Sequence, residues 1–266
     1  MSELATSPEE ILVENEAGVL RLTLNRPEVL NAVSSRAYRL LDEALGRAED
    51  DPDVACVLLT GTGRAFTAGV DLTDTEGTVE ERWAIYDGFM RRLEGLRKPV
   101  VVAVNGIAVG IGATLLGHAD IVLCGKSARF RMPFVALGLS PEAGSSFTIP
   151  ALMGAQNAAY ALFTGEWISA EDAVAAGLVR TVVPDEELQA EASALCARIA
   201  AMPVASLVAT KEMLLATRLA AAQAARTREE GVFQQLQKGP DHAEALAAFA
   251  EKRKPVFRRR VDADPV

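Results

Sequence analysis

Short β-branched runs alternate with longer stretches of helical spacing along most of this chain. Ile11 to Val13 and Val19 to Leu24 flank Asn15-Glu16-Ala17-Gly18, a pattern that predicts a hairpin. Asn25-Arg26-Pro27 ends the second run. From Ser34 or Ser35 as N-cap, Tyr38, Leu41 and Leu45 recur on one helical face as far as about Asp50, and Val54 to Thr60 returns to strand character. Strand, helix and strand in that order predict a βαβ crossover, and with it a sheet covered by helices. Val79 to Arg97 carries an irregular apolar stripe of Trp83, Ile85, Phe89, Met90, Leu93 and Leu96, and Pro99 marks its end.

Val100 to Cys124 is the stretch around which the rest is organised. It reads as strand, tight turn, helix and strand. The run Val100 to Val104 stops at Asn105-Gly106, and after Ile107-Ala108-Val109 comes Gly110-Ile111-Gly112. Two glycines at a helix start let the backbone approach a neighbour closely, and the free N–H groups there favour developing negative charge. That makes the Ile111 N–H a candidate oxyanion donor. An earlier loop, Phe66-Thr67-Ala68-Gly69-Val70-Asp71-Leu72, offers the Val70 N–H as a second donor. Taken alone, each loop also reads as an ordinary turn.

Downstream, Ala128 to Pro133 predicts a strand edge, and Ser140-Pro141-Glu142 has the N-cap, proline and first-turn acid of a helix start. On that reading Glu142 simply satisfies the helix dipole. Glu166 to Ala176 predicts a helix and Gly177 to Pro184 a strand. Four helical stretches follow: Glu187 to Ala201, Val204 to Leu219, Ala224 to Gln237 and Asp241 to Lys252. Composition shifts there from Gly/Val-rich alternation to Ala/Leu/Gln-rich helices. The predicted organisation is an α/β core over 1–202 and a helical oligomerisation and lid region over 203–266.

Composition narrows the functional classes. The 266 residues are 50% apolar and only 5% aromatic, enough to bury a sizeable core. A net charge of -9 argues against nucleic-acid binding, which needs a phosphate-neutralising surface. The exception is a basic end, Lys252, Arg253, Lys254, Arg258, Arg259 and Arg260, suited to a solvated tail or a phosphorylated ligand. Cys56, Cys124 and Cys196 are far apart in apolar settings, which predicts buried thiols in a reducing, cytoplasmic setting. His118 and His242 sit near no Cys/His cluster, so neither a metal site nor a Ser-His-Asp triad is expected. Met1 to Glu10 lacks the basic and apolar regions of a signal peptide, and the Val100 to Cys124 run is too interrupted for a membrane span.

Five segments together resemble the crotonase superfamily, the enoyl-CoA hydratase/isomerase family. They are Asn25-Arg26-Pro27 with Leu30-Asn31-Ala32; Phe66 to Leu72; Ala103-Val104-Asn105-Gly106 through Gly110-Ile111-Gly112 to Asp120; Gly177-Leu178-Val179 with Val183-Pro184; and Phe249 to Phe257. The resemblance implies a spiral of ββα units and a helical trimerisation region, with homotrimers that often pair into hexamers. The implied substrate is an acyl-CoA thioester, with no cofactor besides the coenzyme A of the substrate. Its carbonyl oxygen would sit between the N–H groups of Val70 and Ile111. Leu30, Ala32, Ala68, Gly69, Asp71, Leu72 and Gly110 would line the bent CoA, and Lys252 and Phe257 would reach it from the helical end.

Where hydratases of this family carry two water-activating glutamates, this chain has Thr114 and Phe134. Neither ionises. Pro133 to Gly154 resembles instead the peroxisomal-type Δ3,Δ2-enoyl-CoA isomerases, whose single catalytic glutamate corresponds to Glu142. One carboxylate suffices to move a proton from C2 to C4, and Phe134, Leu137 and Leu139 are expected to raise its pKa. The competing expectations are a hydratase with unusual residues, a dehalogenase-like nucleophile at Glu142, and an acyl-CoA-binding protein that turns nothing over. Thr114 is expected to pack beside the pocket, Asp120 to pair structurally, His118 to end a helix, and Asp71 to organise its loop.

Overall fold

The structure is a computed structural model that describes residues 9–257. It opens with β1 (Ile11–Glu16) and β2 (Val19–Leu24), antiparallel and joined by Ala17 and Gly18. Both turn residues have left-handed backbones, φ 50° and 79°, as a tight two-residue hairpin turn requires. Asn15 and Glu16 therefore belong to the strand, and the turn is shorter than expected. Helix α1 (Ser35–Asp50) is capped by Ser34, whose hydroxyl accepts the Ala37 N–H at 3.0 Å. It leads into β3 (Cys56–Gly61), which pairs parallel with β2 and completes the crossover.

From β3 onward the chain repeats one device. Two strands, one in each of two sheets, are followed by a helix. These units are β3 and β4 (Ala65–Thr67) with α2 (Val79–Gly95); β5 (Val100–Val104) and β6 (Ile107–Val109) with α3 (Ile111–Thr114); and β7 (Ile121–Gly125) and β8 (Arg129–Arg131) with α4 (Ser145–Thr164). Then come β9 (Ile168–Ser169), α5 (Ala170–Ala176) and β10 (Thr181–Val183), followed by α6 (Leu188–Ala200), α7 (Val204–Gln237) and α8 (Pro240–Ala250). One sheet has the order β1-β2-β3-β5-β7-β10 and the other β4-β6-β8-β9. Beyond the first hairpin, every pairing in the larger sheet is parallel. The result is the expected α/β spiral of ββα units.

Every residue of β5 is buried because both sheet faces are covered. Val100, Val102 and Val104 face the main core, whereas Val101 and Ala103 join Cys56, Leu58 and Leu123 under Leu188, Ala192 and Cys196 of α6. All three cysteines are free and buried. Among the described residues no single helix is long and apolar enough to cross a membrane.

Several expectations are corrected. The strands of the smaller sheet have two or three residues, too few to show a period, so β4 and β6 read as loop. The expected helices Val204 to Leu219 and Ala224 to Gln237 are one helix of 34 residues, since Ala220-Ala221-Ala222-Gln223 has no breaker and strong helix propensity. Helix α4, whose extent the sequence left open, contains Pro150 and bends at Gly154. The helix expected at Ser140-Pro141-Glu142 begins only at Ser145. Arg258, Arg259 and Arg260 of the basic end, and most of the segment read for a signal peptide, lie outside the described residues.

Candidate active site

The two glycine loops meet. A Cβ on Gly112 would fall 2.5 Å from Thr67 Cγ2 and 3.1 Å from Thr67 O, and one on Gly69 would fall 2.9 Å from Val109 O. Both glycines are thus demanded by backbone contact between the loops. Gly110, the residue before α3, has φ 56° and ψ -121°, a backbone that side-chain-bearing residues avoid. It turns the chain so that α3 starts at Ile111. Among the described residues, neither the Val70 N–H nor the Ile111 N–H donates to a protein acceptor. The Val70 side chain is half exposed, whereas Ile111 is buried in the core.

The loop before α1 locks onto the Val70 loop through a short backbone ladder. Ala68 N–H donates to Leu30 O at 2.9 Å, Val33 N–H to Gly69 O at 2.8 Å, and Asp71 N–H to Val33 O at 3.0 Å. Leu30 and Asn31 have left-handed backbones, φ 56° and 55°. Asn31 is held in that conformation by its own side chain, which accepts the Arg26 N–H and donates to Thr62 O and Ala65 O. Arg26 then donates to Ala32 O at 2.9 Å and to Asp71 at 2.8 Å. Asp71 also takes the N–H and hydroxyl of Thr73, and these donors hold its carboxyl below the usual range against the effect of burial. It is an organiser of the loop. Leu30, Ala32, Ala68, Gly69, Asp71 and Leu72 are thereby brought together beside Val70, with Leu72 exposed.

Glu142 reaches the site from a different direction. It lies in neither helix nor strand, so it is not a first-turn acid and its dipole role falls away. Two left-handed residues follow it, Ala143 at φ 60° and Gly144 at φ 69°. A left-handed alanine costs of order 1–3 kcal/mol and persists only where its surroundings impose it. Here His118 Nε2 bonds Ala143 O at 2.6 Å, and the Glu229 carboxylate of α7 accepts the N–H groups of Gly144 and Ser146 at 2.6 and 2.7 Å. Burial pushes the His118 pKa down to about 4, so the ring is neutral and donates this bond through Nε2. Glu229 caps α4, which has no side-chain cap of its own.

Glu142 is buried, 7% exposed as a residue. Thr114 Oγ1 donates to Oε1 at 2.5 Å, and the Tyr86 hydroxyl of α2 donates to Oε2 at 2.5 Å. Thr114 lies in the single turn of α3 that opens at Ile111, so the carboxylate sits within one helical turn of a candidate oxyanion donor. Burial pushes its pKa up, opposed by the two hydroxyl bonds and reinforced by the Glu229 and Glu230 charges, to about 7. Such a group changes charge near neutral pH, the condition for taking a proton and returning it.

Tyr86 is the functional residue that the sequence did not single out. It lies three residues from both Trp83 and Phe89, on the face that carries the apolar stripe, and stacks edge-on against Tyr38 and Trp83. A tyrosine on a buried stripe needs a partner for its hydroxyl, and that need was the available signal. Phe134 is buried at 5% exposure and apolar, and Leu139 is buried. Asp120 pairs with Lys211 at 2.5 Å and Arg218 at 2.9 Å and accepts the Val100 N–H, an anchor for α7. Lys252 and Phe257 are exposed past the end of α8, and among the described residues neither is hydrogen-bonded or ion-paired to the Val70 or Ile111 loop. Arg253 of the same end is spent on Glu244 and Glu251.

Known proteins resemble this chain over nearly its whole length. A family model described as enoyl-CoA hydratase/isomerase matches residues 14–260. A 1,2-epoxyphenylacetyl-CoA isomerase of Escherichia coli (strain K12) is 37% identical, covering 94% of this chain and 98% of its own. A short-chain-enoyl-CoA hydratase of Clostridium acetobutylicum is 33% identical over 92% of this chain and 95% of its own. An enoyl-CoA delta isomerase 2 of Rattus norvegicus is 37% identical over 77% of this chain and 54% of its own. Among solved structures, an enoyl-CoA hydratase/isomerase from Pseudoalteromonas atlantica T6c superimposes with a TM-score of 0.89 at 36% identity, covering 94% of this chain and all of that one. With its ββα spiral, its paired glycine loops and these relatives, the chain belongs to the crotonase superfamily, as an enzyme of the enoyl-CoA hydratase/isomerase family.

Proposed function

We propose that this enzyme shifts the double bond of a 3-enoyl-CoA to the 2-position, with Glu142 as its only acid and base. The observation that carries the reading is the isolation of Glu142 as, among the described residues, the one carboxylate at the site that neither pairs with a cation nor caps a helix. Glu229 has both oxygens on the α4 N-terminus, Glu230 is paired with Arg226, and by the family resemblance Thr114 and Phe134 occupy the positions of the two hydratase glutamates. Activating a water and protonating the α-carbon requires two such groups, whereas a 1,3-proton shift requires one.

In this mechanism the Glu142 carboxylate removes a C2 proton. The C–H electron pair moves into the conjugated system and charge gathers on the thioester oxygen, between the N–H groups of Val70 and Ile111. Two fixed backbone donors there stabilise the dienolate without reorganising, and each is worth about 3–4 kcal/mol of barrier in comparable sites. The protonated Glu142 then delivers the same proton to C4, the double bond settles between C2 and C3, and the carboxylate is restored. Trimers, and pairs of trimers, are part of the same reading. It is supported by the solvent-facing Met213, Leu214, Val232 and Leu236 of α7 and Phe249 of α8, apolar groups suited to burial between copies.

The test offers 3-enoyl-CoA and 2-enoyl-CoA to wild type and Glu142→Ala, following the absorbance of the conjugated thioester. Wild type is expected to gain conjugation from the 3-enoyl substrate, and the variant to lose roughly 10²–10⁴-fold in rate. A wild type that hydrates 2-enoyl-CoA and ignores 3-enoyl-CoA is a hydratase, and one that binds either without turnover is a binding protein. A ring-epoxide thioester, the substrate type in the Escherichia coli relative's name, is the control for chemistry other than the double-bond shift.

A further inference from the structure

One hydroxyl stands between the base and an oxyanion donor. Thr114 Oγ1 lies 2.5 Å from Glu142 Oε1 and 3.2 Å from the carbonyl oxygen of Gly110. A threonine hydroxyl has a single proton and donates it to one acceptor at a time. The Gly110 carbonyl belongs to the same planar amide as the Ile111 N–H, so whatever binds that oxygen acts on the donor across the peptide bond.

The two acceptors compete, and the charge on Glu142 decides between them. An ionised carboxylate draws the hydroxyl by a charge-assisted bond, the shorter contact of the two. Once Glu142 has taken a proton from substrate, Oε1 becomes a weaker, neutral acceptor. Donation to the carbonyl four residues back is the usual alternative for a helical threonine. The Gly110 carbonyl is held steady for it by the N–H groups of Ala113 and Thr114 at 2.9 and 3.0 Å, and Thr114 is fully buried, out of competition with water. A further donor on that carbonyl polarises the amide and strengthens the opposite N–H by roughly 10–30%.

We infer that Thr114 is a positioning residue that couples the proton on Glu142 to the strength of the Ile111 oxyanion donor, by turning its hydroxyl from Glu142 to Gly110 O as negative charge moves onto the thioester oxygen. The inference rests on the reading of Glu142 as base and Ile111 as donor. The other groups around Glu142 are Tyr38 of α1, Tyr86 of α2, His118 behind Ala143, and Glu229, Glu230 and Arg226 of α7. Among the described residues none of these hydrogen-bonds to Gly110 O, so Thr114 alone joins the two halves.

The test uses the full-length protein saturated with a saturated acyl-CoA carrying a 13C-labelled thioester carbonyl, which has no double bond to move. Infrared difference spectra are taken above and below the Glu142 midpoint. In wild type the carbonyl stretch is expected to fall further when Glu142 is protonated. Thr114→Val should lose at least half of that pH-linked shift, the remainder being the direct field of the carboxylate, while Thr114→Ser keeps it. The kcat/KM of Thr114→Val should fall about tenfold, and the midpoint of its pH profile should rise, because the carboxylate has lost a donor. An inactive Glu142→Gln, together with a Thr114→Val shift equal to that of wild type, sinks the coupling alone. A wild-type carbonyl that ignores pH, together with a fully active Glu142→Gln, sinks the base assignment as well.

Discussion

The loops carrying Val70 and Ile111 are held by backbone against backbone, whereas Glu142 is held by side chains borrowed from elements far away in the chain. Gly69 and Gly112 let the first two approach closely, Gly69 against the Val109 carbonyl and Gly112 against Thr67. Glu142 instead depends on Tyr86 from α2, Thr114 and His118 from the turns after β6, and Glu229 from α7. The difference suits the two tasks. Oxyanion donors must be rigid and carry no charge of their own, which an amide already satisfies. A base must change charge near neutral pH, and only its surroundings can tune a carboxyl to do so.

Neutralising the base should have the largest effect. Glu142→Gln is expected to lower kcat roughly 10²–10⁴-fold while leaving acyl-CoA affinity, measured calorimetrically, within a few-fold. Stability should move the other way. The folded pKa is raised from 4.5 to about 7, so the contribution of Glu142 to wild-type stability is fully present below 4.5 and is lost as pH rises from there through 7. That difference corresponds to about 3 kcal/mol, and Glu142→Gln, which does not ionise, should be spared it. Thermal melts across this range that run parallel for the two proteins would contradict the buried, raised carboxyl.

Forcing the backbone halves apart comes next. The methyl of Gly112→Ala would overlap Thr67 and separate the two donors, an expected loss of about 10²–10³-fold in kcat. Ala113, one residue on, already carries a methyl, so helix propensity cannot account for such a loss. An unimpaired Gly112→Ala would mean that the loops do not need their contact.

Glu229→Gln separates the tuning of Glu142 from its placement. One of the two α4 N–H groups loses its acceptor, which should cost about 1–3 kcal/mol by urea titration. Removing a negative charge near Glu142 should also shift the midpoint of the pH profile below that of wild type. A midpoint that stays put would show that α7 only places the base. The smallest effect is expected at Lys252→Ala, a few-fold rise in KM with unchanged kcat, since an exposed ammonium near a phosphate contributes about 1 kcal/mol or less. An unchanged KM would remove Lys252 from the CoA site.

Much of the fold was legible because its signals are local. The hairpin at Ala17-Gly18, the Ser34 cap, the crossover from β2 to β3 and the all-apolar β5 each follow from a handful of neighbouring residues. Of the smaller sheet only β8 was legible, within the strand edge expected over Ala128 to Pro133, since two- and three-residue strands carry no period. The start of α4 was misread for an instructive reason. Ser140-Pro141-Glu142 has the residues of a helix cap, but Glu229, 83 residues beyond Ser146, caps the helix at Ser145 instead.

By themselves, turn chemistry, periodicity and spacing determined most strands of the larger sheet, most of the helices and the two glycine loops, because they act between near neighbours. The ββα spiral and Glu142 as the acid to watch came instead from the resemblance to the crotonase superfamily. Only the tertiary structure decided what Glu142 is. It is a buried carboxyl between two hydroxyls, one of them from Tyr86, and not the dipole acid that its local sequence suggests. Burial and long-range hydrogen bonds set its pKa, and they exist only once α2, α3 and α7 have packed around it.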